Sequence, residues 1–121
     1  MILKLTVDLP EEQPYVRIMR LLGRTLLTNL HAIEQDIDEI WDYGAERWGE
    51  DQADRYVRTL ISAIEMVADS PHRGRRRDDI RAGYFSVTRE SHSIFYSLSP
   101  DGDGIYVVRI LHQRMDIKRH I

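Results

Sequence analysis

IWDYGAERWGEDQADRY, residues 40–56, holds the junction on which the fold turns. Leading into and through it, Ile33, Ile37, Ile40, Trp41, Gly44 and Trp48 recur at the spacing of an amphipathic helix, with acids at many of the positions between. Both tryptophans fall on that stripe, which predicts core packing for each rather than stacking on a ligand. Gly49 can turn left-handed and stop the helix. Asp51 then offers an N-cap with acids crowding the next turn, and Ala53, Val57, Leu60, Ile61, Ile64, Val67 and Ala68 form a second buried stripe that Ser70-Pro71 ends. A linker of only Glu50-Asp51 permits nothing but an antiparallel helical hairpin.

Downstream, past the arginine-rich loop RGRRRDD, the helical period gives way to runs rich in β-branched and aromatic residues. IRAGYFSVT, SIFYSL and IYVVRIL each have strand length, and RESH and SPDGDG separate them as turns. Short connections predict an antiparallel meander. Thr25, Leu26 and Leu27 supply a fourth strand before the first helix, so the expected order is β-α-α-β-β-β: an α+β domain in which a helical hairpin packs on an antiparallel four-stranded sheet. The last strand is expected to be central enough to be rigid. Tyr84, Phe85, Phe95, Tyr96 and Tyr106 alternate across the sheet, so some face the helices and others are free for a binding face. Residues 1–23 fit this scheme poorly, with Pro10 and Pro14 breaking their apolar runs, and are set apart as an N-terminal extension of unknown role. Residues 24–121 form the domain.

The chain's 121 residues suit one domain, and its 42% hydrophobic and 31% charged residues are the balance of a folded globular protein. It has no cysteine, which excludes disulfides, thiol catalysis and cysteine-ligated zinc and suits a reducing compartment. No apolar run approaches the roughly 18 to 20 residues of a membrane span, and the opening MILKLTVDLPEEQP has neither the apolar core nor the cleavage site of a secretory signal. A cytoplasmic location is expected, with no membrane partner. The net charge of −3 conceals a segregation. Nine acids between Glu34 and Asp54 face only Arg47, whereas six arginines between Arg73 and Arg89 face only Asp78 and Asp79. Clustered cations attract acidic partners even when the total charge is negative.

Little in the pattern favours catalysis. His31, His72, His92, His112 and His120 show no metal-binding spacing, so no metal is expected, and no cofactor either. No GxSxG elbow or phosphate-binding glycine loop occurs. One acid/base possibility remains: arginines holding a scissile phosphate and a histidine with a pKa near roughly 6.5 moving the proton, assembled from Arg81, Arg109, Arg114, Lys118 and His120.

IWDYGAERWGEDQADRY, IEMVADSPHRGRRRDDIRAGYFSV, SIFYS and VVRILHQRMDIKRHI together resemble a ParE toxin of the RelE/ParE toxin–antitoxin superfamily, from about Ile33 to Ile121. The RWGxxQA junction, the DxIRxGY entry to the sheet and the terminal RILHQRMD carry the resemblance. It implies the same β-α-α-β-β-β fold and a bacterial toxin that poisons DNA gyrase without enzymatic chemistry and is neutralised by a cognate ParD-like antitoxin. It also implies no direct sequence-specific DNA binding by the toxin itself. Arg81 and Arg114 stand where RelE-like ribonucleases have functional arginines, and His120 near their terminal tyrosine or histidine. Those three residues would be the catalytic set of the alternative, a ribosome-dependent mRNA endonuclease. The lysines that such enzymes carry in the second helix and the following loop are missing here, and the cap before the first helix, Thr28-Asn29, lies slightly early. A degenerate toxin that only binds its antitoxin is a third expectation.

Under the ParE reading, the terminal segment is a docking surface for the target: Arg109, His112, Gln113, Arg114, Met115 and Asp116 at the end of a stiff strand, with Arg and Met as anchors. The antitoxin is expected to fold on binding, as an apolar and partly acidic segment, over the helical hairpin and over Arg75, Arg76, Arg77, Arg81 and Tyr84.

Overall fold

The computed structural model describes residues 30–100 and 104–121. The two expected helices are present: α1, Leu30–Trp48, and α2, Glu50–Asp69. A 3-10 turn, Pro71–Arg73, follows, then the strands β1 (Arg75–Arg76), β2 (Tyr84–Arg89), β3 (His92–Leu98) and β4 (Ile105–His112), and a terminal helical turn α3 (Ile117–His120). The strands lie in the order β1-β2-β3-β4, every pair antiparallel. With the hairpin packed on this sheet, the domain is α+β, as expected. The apolar stripes explain the layering. Ile33 and Ile37 of α1 and Val57, Leu60, Ile64 and Val67 of α2 are fully buried, in one cluster with Ile94, Tyr96, Ile105 and Val107 of the sheet.

Several details depart from expectation, each for a physical reason. Gly49, at φ 95°, makes the connection alone. Its carbonyl accepts the Ala53 amide at 3.1 Å, so Gly49 occupies the N-cap position, while Glu50 and Asp51 are already helical. Asp51 is thus no cap but an acid of the first turn, where the helix dipole still favours it. Trp41 packs half-buried against the core and donates its Nε1 hydrogen to Asp54 at 2.8 Å. Trp48, expected inside, is 61% exposed. It is the last residue of α1, and the reversal at Gly49 leaves it without cover.

The segment IRAG is not strand. The Asp78 carboxylate accepts the Gly83 amide at 2.9 Å, and Gly83 takes φ 86°, closing a loop that delays β2 until Tyr84. Part of the arginine-rich loop is, conversely, a strand: Arg75 pairs with Ser86 and Arg76 with Phe85. The strand expected at Thr25–Leu27, the Thr28-Asn29 cap and the division at residue 23 lie outside the described residues. Among the described strands, β4 ends the order rather than standing in the middle. A register shift between Phe95 and Tyr96, opposite Arg109 and Val107, bulges β4. Phe95 and Tyr96, though adjacent, are both fully buried.

Candidate functional site

The end of β4 is fastened by one acid of α1. Asp36 is only 6% exposed. Its carboxylate accepts Arg109 Nε and Nη2, both at 2.8 Å, and the Ile110 amide at 3.0 Å. Donating to Asp36 raises the Arg109 pKa above its ordinary value. The third guanidinium nitrogen, Nη1, donates to the His120 carbonyl at 3.0 Å and so ties α3 back to the strand. Arg109 therefore joins α1, β4 and the C-terminus, whereas Gln113 to Asp116, beyond the end of the strand, are exposed.

The turn between β4 and α3 is held by backbone. The Gln113 amide donates to Ser91 O at 2.9 Å, the Arg114 amide to His112 Nδ1 at 3.0 Å and the Met115 amide to His112 O at 2.9 Å. Accepting at Nδ1 places the proton of neutral His112 on Nε2. Gln113, Arg114, Met115 and Asp116 are all exposed. Met115, at 42%, joins Tyr43 and Trp48 as the large exposed apolar residues of the described surface.

Two of these, Tyr43 and Trp48, line one feature together with Arg114, the neighbour of Met115. A groove of about 950 Å³ runs between the α1–α2 corner and the end of the sheet. Tyr43, Arg47 and Trp48 wall it on one side, with Arg55 and Tyr56 of α2 and with His92, His112 and Arg114 of the sheet end. Tyr43 and Trp48 meet edge to face at 6.0 Å, with the Arg47 guanidinium 5.1 Å above the Tyr43 ring. Beneath, Tyr56 Oη lies 2.7 Å from His92 Nδ1, and the His92 and His112 rings meet edge to face at 5.1 Å. Tyr and Trp beside Arg are the composition of interface anchors.

Burial, with His112 beside it, pushes His92 from an ordinary 6.5 down to about 4. The unfolded chain therefore takes up this proton before the folded one does, and lowering the pH favours unfolding. Stability owed to neutral His92 is complete above about 6.5 and is lost as the pH falls toward about 4. Urea unfolding midpoints measured from pH 7 to pH 5 are expected to fall less steeply in His92→Gln than in the parent. Equal slopes would remove His92 as the cause.

The arginine-rich segment is arranged differently. Arg76 bonds Asp78 at 3.1 Å and Arg77 grips Asp79 through two contacts of 3.1 Å. The Gly83 amide and Arg76 hold Asp78 below the usual carboxylate range, and Arg77 does the same for Asp79. Arg77 also lies over the buried Phe95 ring at 5.4 Å, and Tyr84 is half-buried. Arg75 and Arg81 are exposed. Arg81 lines a notch of about 280 Å³ with Ile80, Lys118 and Ile121.

The three residues of the alternative catalytic set line no common cavity. Arg81 lines the notch, Arg114 the groove, and His120 neither. Among the described residues no group of three or more His, Asp or Glu is placed to hold a metal, and no helix is long and apolar enough to cross a membrane. Sequence reasoning missed Asp36, Tyr43, Trp48, Tyr56 and His92 as members of a site. For Trp48 a signal existed: a large aromatic immediately before a chain-reversing glycine has lost the continuing helix that would cover it.

The family model described as "ParE toxin of type II toxin-antitoxin system, parDE" matches residues 30–117. The chain is 46% identical over 90 residues to Toxin ParE1 of Mycobacterium tuberculosis (strain ATCC 25618 / H37Rv), covering 74% of this chain and 91% of the relative. It is 40% identical over 86 residues to Toxin ParE1 of Caulobacter vibrioides, covering 71% and 86%. Toxin ParE3 of the same organism is more distant, at 25% over 96 residues. The matched span takes in the hairpin, the whole described sheet and the exposed turn that follows it, and on that basis the chain belongs to the ParE toxin family of type II toxin–antitoxin systems.

Proposed function

We propose that this toxin acts by inhibiting DNA gyrase, without chemistry of its own, and that a ParD-like antitoxin neutralises it. The observation that carries the reading is the turn after β4. Its exposed Arg114 and Met115 are set by three hydrogen bonds donated by backbone amides, one of them to the His112 ring, and backed by the Asp36–Arg109 ion pair. A preordered turn loses little freedom on docking, which favours affinity. His112, Gln113, Arg114, Met115 and Asp116 form the contact surface, and Arg109 supports it from behind. The antitoxin covers Arg75, Arg76, Arg77, Arg81 and Tyr84 together with the hairpin. The mRNA endonuclease reading needs Arg81, Arg114 and His120 at one scissile phosphate, and that they line no common cavity weighs against it.

Purified toxin incubated with gyrase and supercoiled plasmid is expected to trap cleaved DNA, while translating ribosomes supplied with the same protein retain intact message. Cut message with untouched plasmid would reverse the assignment. Arg114→Ala combined with Met115→Ala is expected to weaken gyrase binding by roughly 30-fold, about 2 kcal/mol for the loss of interface anchors. The melting temperature should be unchanged, because neither side chain is buried. Full toxicity in that double variant would move the contact surface elsewhere.

A further inference from the structure

The arginine-rich segment and the C-terminal turn lie far apart in sequence, and the reading above assigns them to different partners. The fold brings them together at the notch. Ile80 and Arg81 come from the loop before β2, and Lys118 and Ile121 from α3 and the residue after it. The two acids of the loop are already taken, Asp78 by Arg76 and Gly83 and Asp79 by Arg77. The notch lining thus holds two cationic and two aliphatic side chains and no acidic side chain. Arg81 and Lys118 are exposed, and Ile80 and Ile121 half-exposed.

From this geometry we infer that the notch is a recognition site for an acidic segment with an aliphatic anchor, borne by the antitoxin. Ile80 and Ile121 receive the aliphatic side chain, and Arg81 and Lys118 bind the flanking carboxylates. Two cations in one notch whose lining carries no acidic side chain repel each other, and a partner's carboxylate between them relieves that repulsion while its own charge is matched. Arg81 suits the planar grip and Lys118 the adaptable one. The notch also decides how neutralisation works. Lys118 is two residues beyond Asp116, the last member of the proposed gyrase contact. A partner seated on Lys118 crowds that turn, so antitoxin and gyrase exclude each other by direct overlap.

This inference rests on the antitoxin surface proposed above, and the test separates the two. The full chain is titrated with its cognate antitoxin as Arg75→Glu, Arg81→Glu, Lys118→Glu and Lys118→Arg variants, each checked for an unchanged melting temperature. Lys118→Glu and Arg81→Glu are expected to weaken binding about 10-fold or more, Lys118→Arg hardly at all, with the differences shrinking as salt rises from about 0.1 M to about 1 M. If Arg75→Glu weakens binding and Lys118→Glu does not, the notch inference falls and the antitoxin surface stands. If no charge reversal matters, both fall. A labelled DNA duplex is titrated in parallel. Loss of duplex binding in Lys118→Glu with antitoxin affinity intact would reassign the notch to phosphate and overturn the inference. Preformed toxin–antitoxin complex is expected not to bind gyrase, and a ternary complex would refute the overlap.

Discussion

Asp36→Ala is expected to destabilise the domain by about 3–5 kcal/mol, the range for removing one partner of a buried ion pair. The estimate rests on what remains. Arg109, 29% exposed at its side chain, keeps its charge against α1 without the carboxylate that gripped it at two nitrogens, and the Ile110 amide, buried, loses its acceptor. The substitution also frees the C-terminus, because Arg109 then has no reason to hold the orientation in which Nη1 reaches the His120 carbonyl. Urea unfolding would measure the loss, and hydrogen exchange would report faster exchange of the Arg119 and Ile121 amides, which bond within the terminal segment. Replacing both partners, as Asp36→Leu with Arg109→Met, is expected to recover part of the deficit, since a well-packed apolar pair often matches a buried ion pair. Recovery stays incomplete because the Ile110 amide remains unanswered. If the alanine variant unfolds within about 1 kcal/mol of the parent, the scale of a surface salt bridge, the ion pair is ornamental and the C-terminal turn is ordered by something else.

Gly74→Ala is expected to destabilise by about 3 kcal/mol, at the upper end for forcing atoms into a packed site. The backbone is not the obstacle, for Gly74 sits at φ −75°, a conformation open to any residue. The obstacle is Tyr96. An added Cβ would collide with its hydroxyl and lie 2.9 Å from Cζ and 3.0 Å from the Ser86 carbonyl. Tyr96 has nowhere to go: it is fully buried, its hydroxyl donates to Pro71 O at 2.6 Å, and its ring stacks on Phe85 at 5.5 Å. The chain must either leave Tyr96 or give up pairing β1 with β2. Tyr96→Phe alone costs about 1 kcal/mol for the lost hydrogen bond, but it removes the atom most directly in the way. The double variant is therefore expected to be more stable than the sum of the two single losses, and a strictly additive result would exclude this contact as the cause.

The hairpin was legible because it announces itself locally. Apolar residues at helical spacing, one glycine and one Ser-Pro place the hairpin closely, and β-branched runs do the same for β3 and β4, whereas β2 starts only at Tyr84, after the loop that its run was expected to include. What escaped has a common origin in long-range geometry. Asp36 looks like one more acid of a solvated helix face until a guanidinium 73 residues away arrives beside it. β1 has two residues, too few for any periodicity. The misplaced Trp48 obeys the stripe rule and fails on position, since the stripe continues to the helix end and the cover does not. Of the candidate site, the exposed turn was readable as the polar continuation of a strand. Its partnership with Tyr43, Trp48, Tyr56 and His92 was not, because the groove exists only once the hairpin corner is laid against the sheet end. Arg81 and Lys118 were both named, yet only the fold makes them neighbours.

A last consequence belongs to β1. An outer strand with free backbone groups invites other chains to add to it and is a starting point for aggregates, and a very short, charged one is a poor template. Among the described strands β1 stands at one end of the order and stops after Arg75 and Arg76, both exposed, so a second molecule adding alongside would find two rungs and a pair of like charges. Two exposed arginines on so short an edge disfavour the stacking of one molecule of the toxin on another.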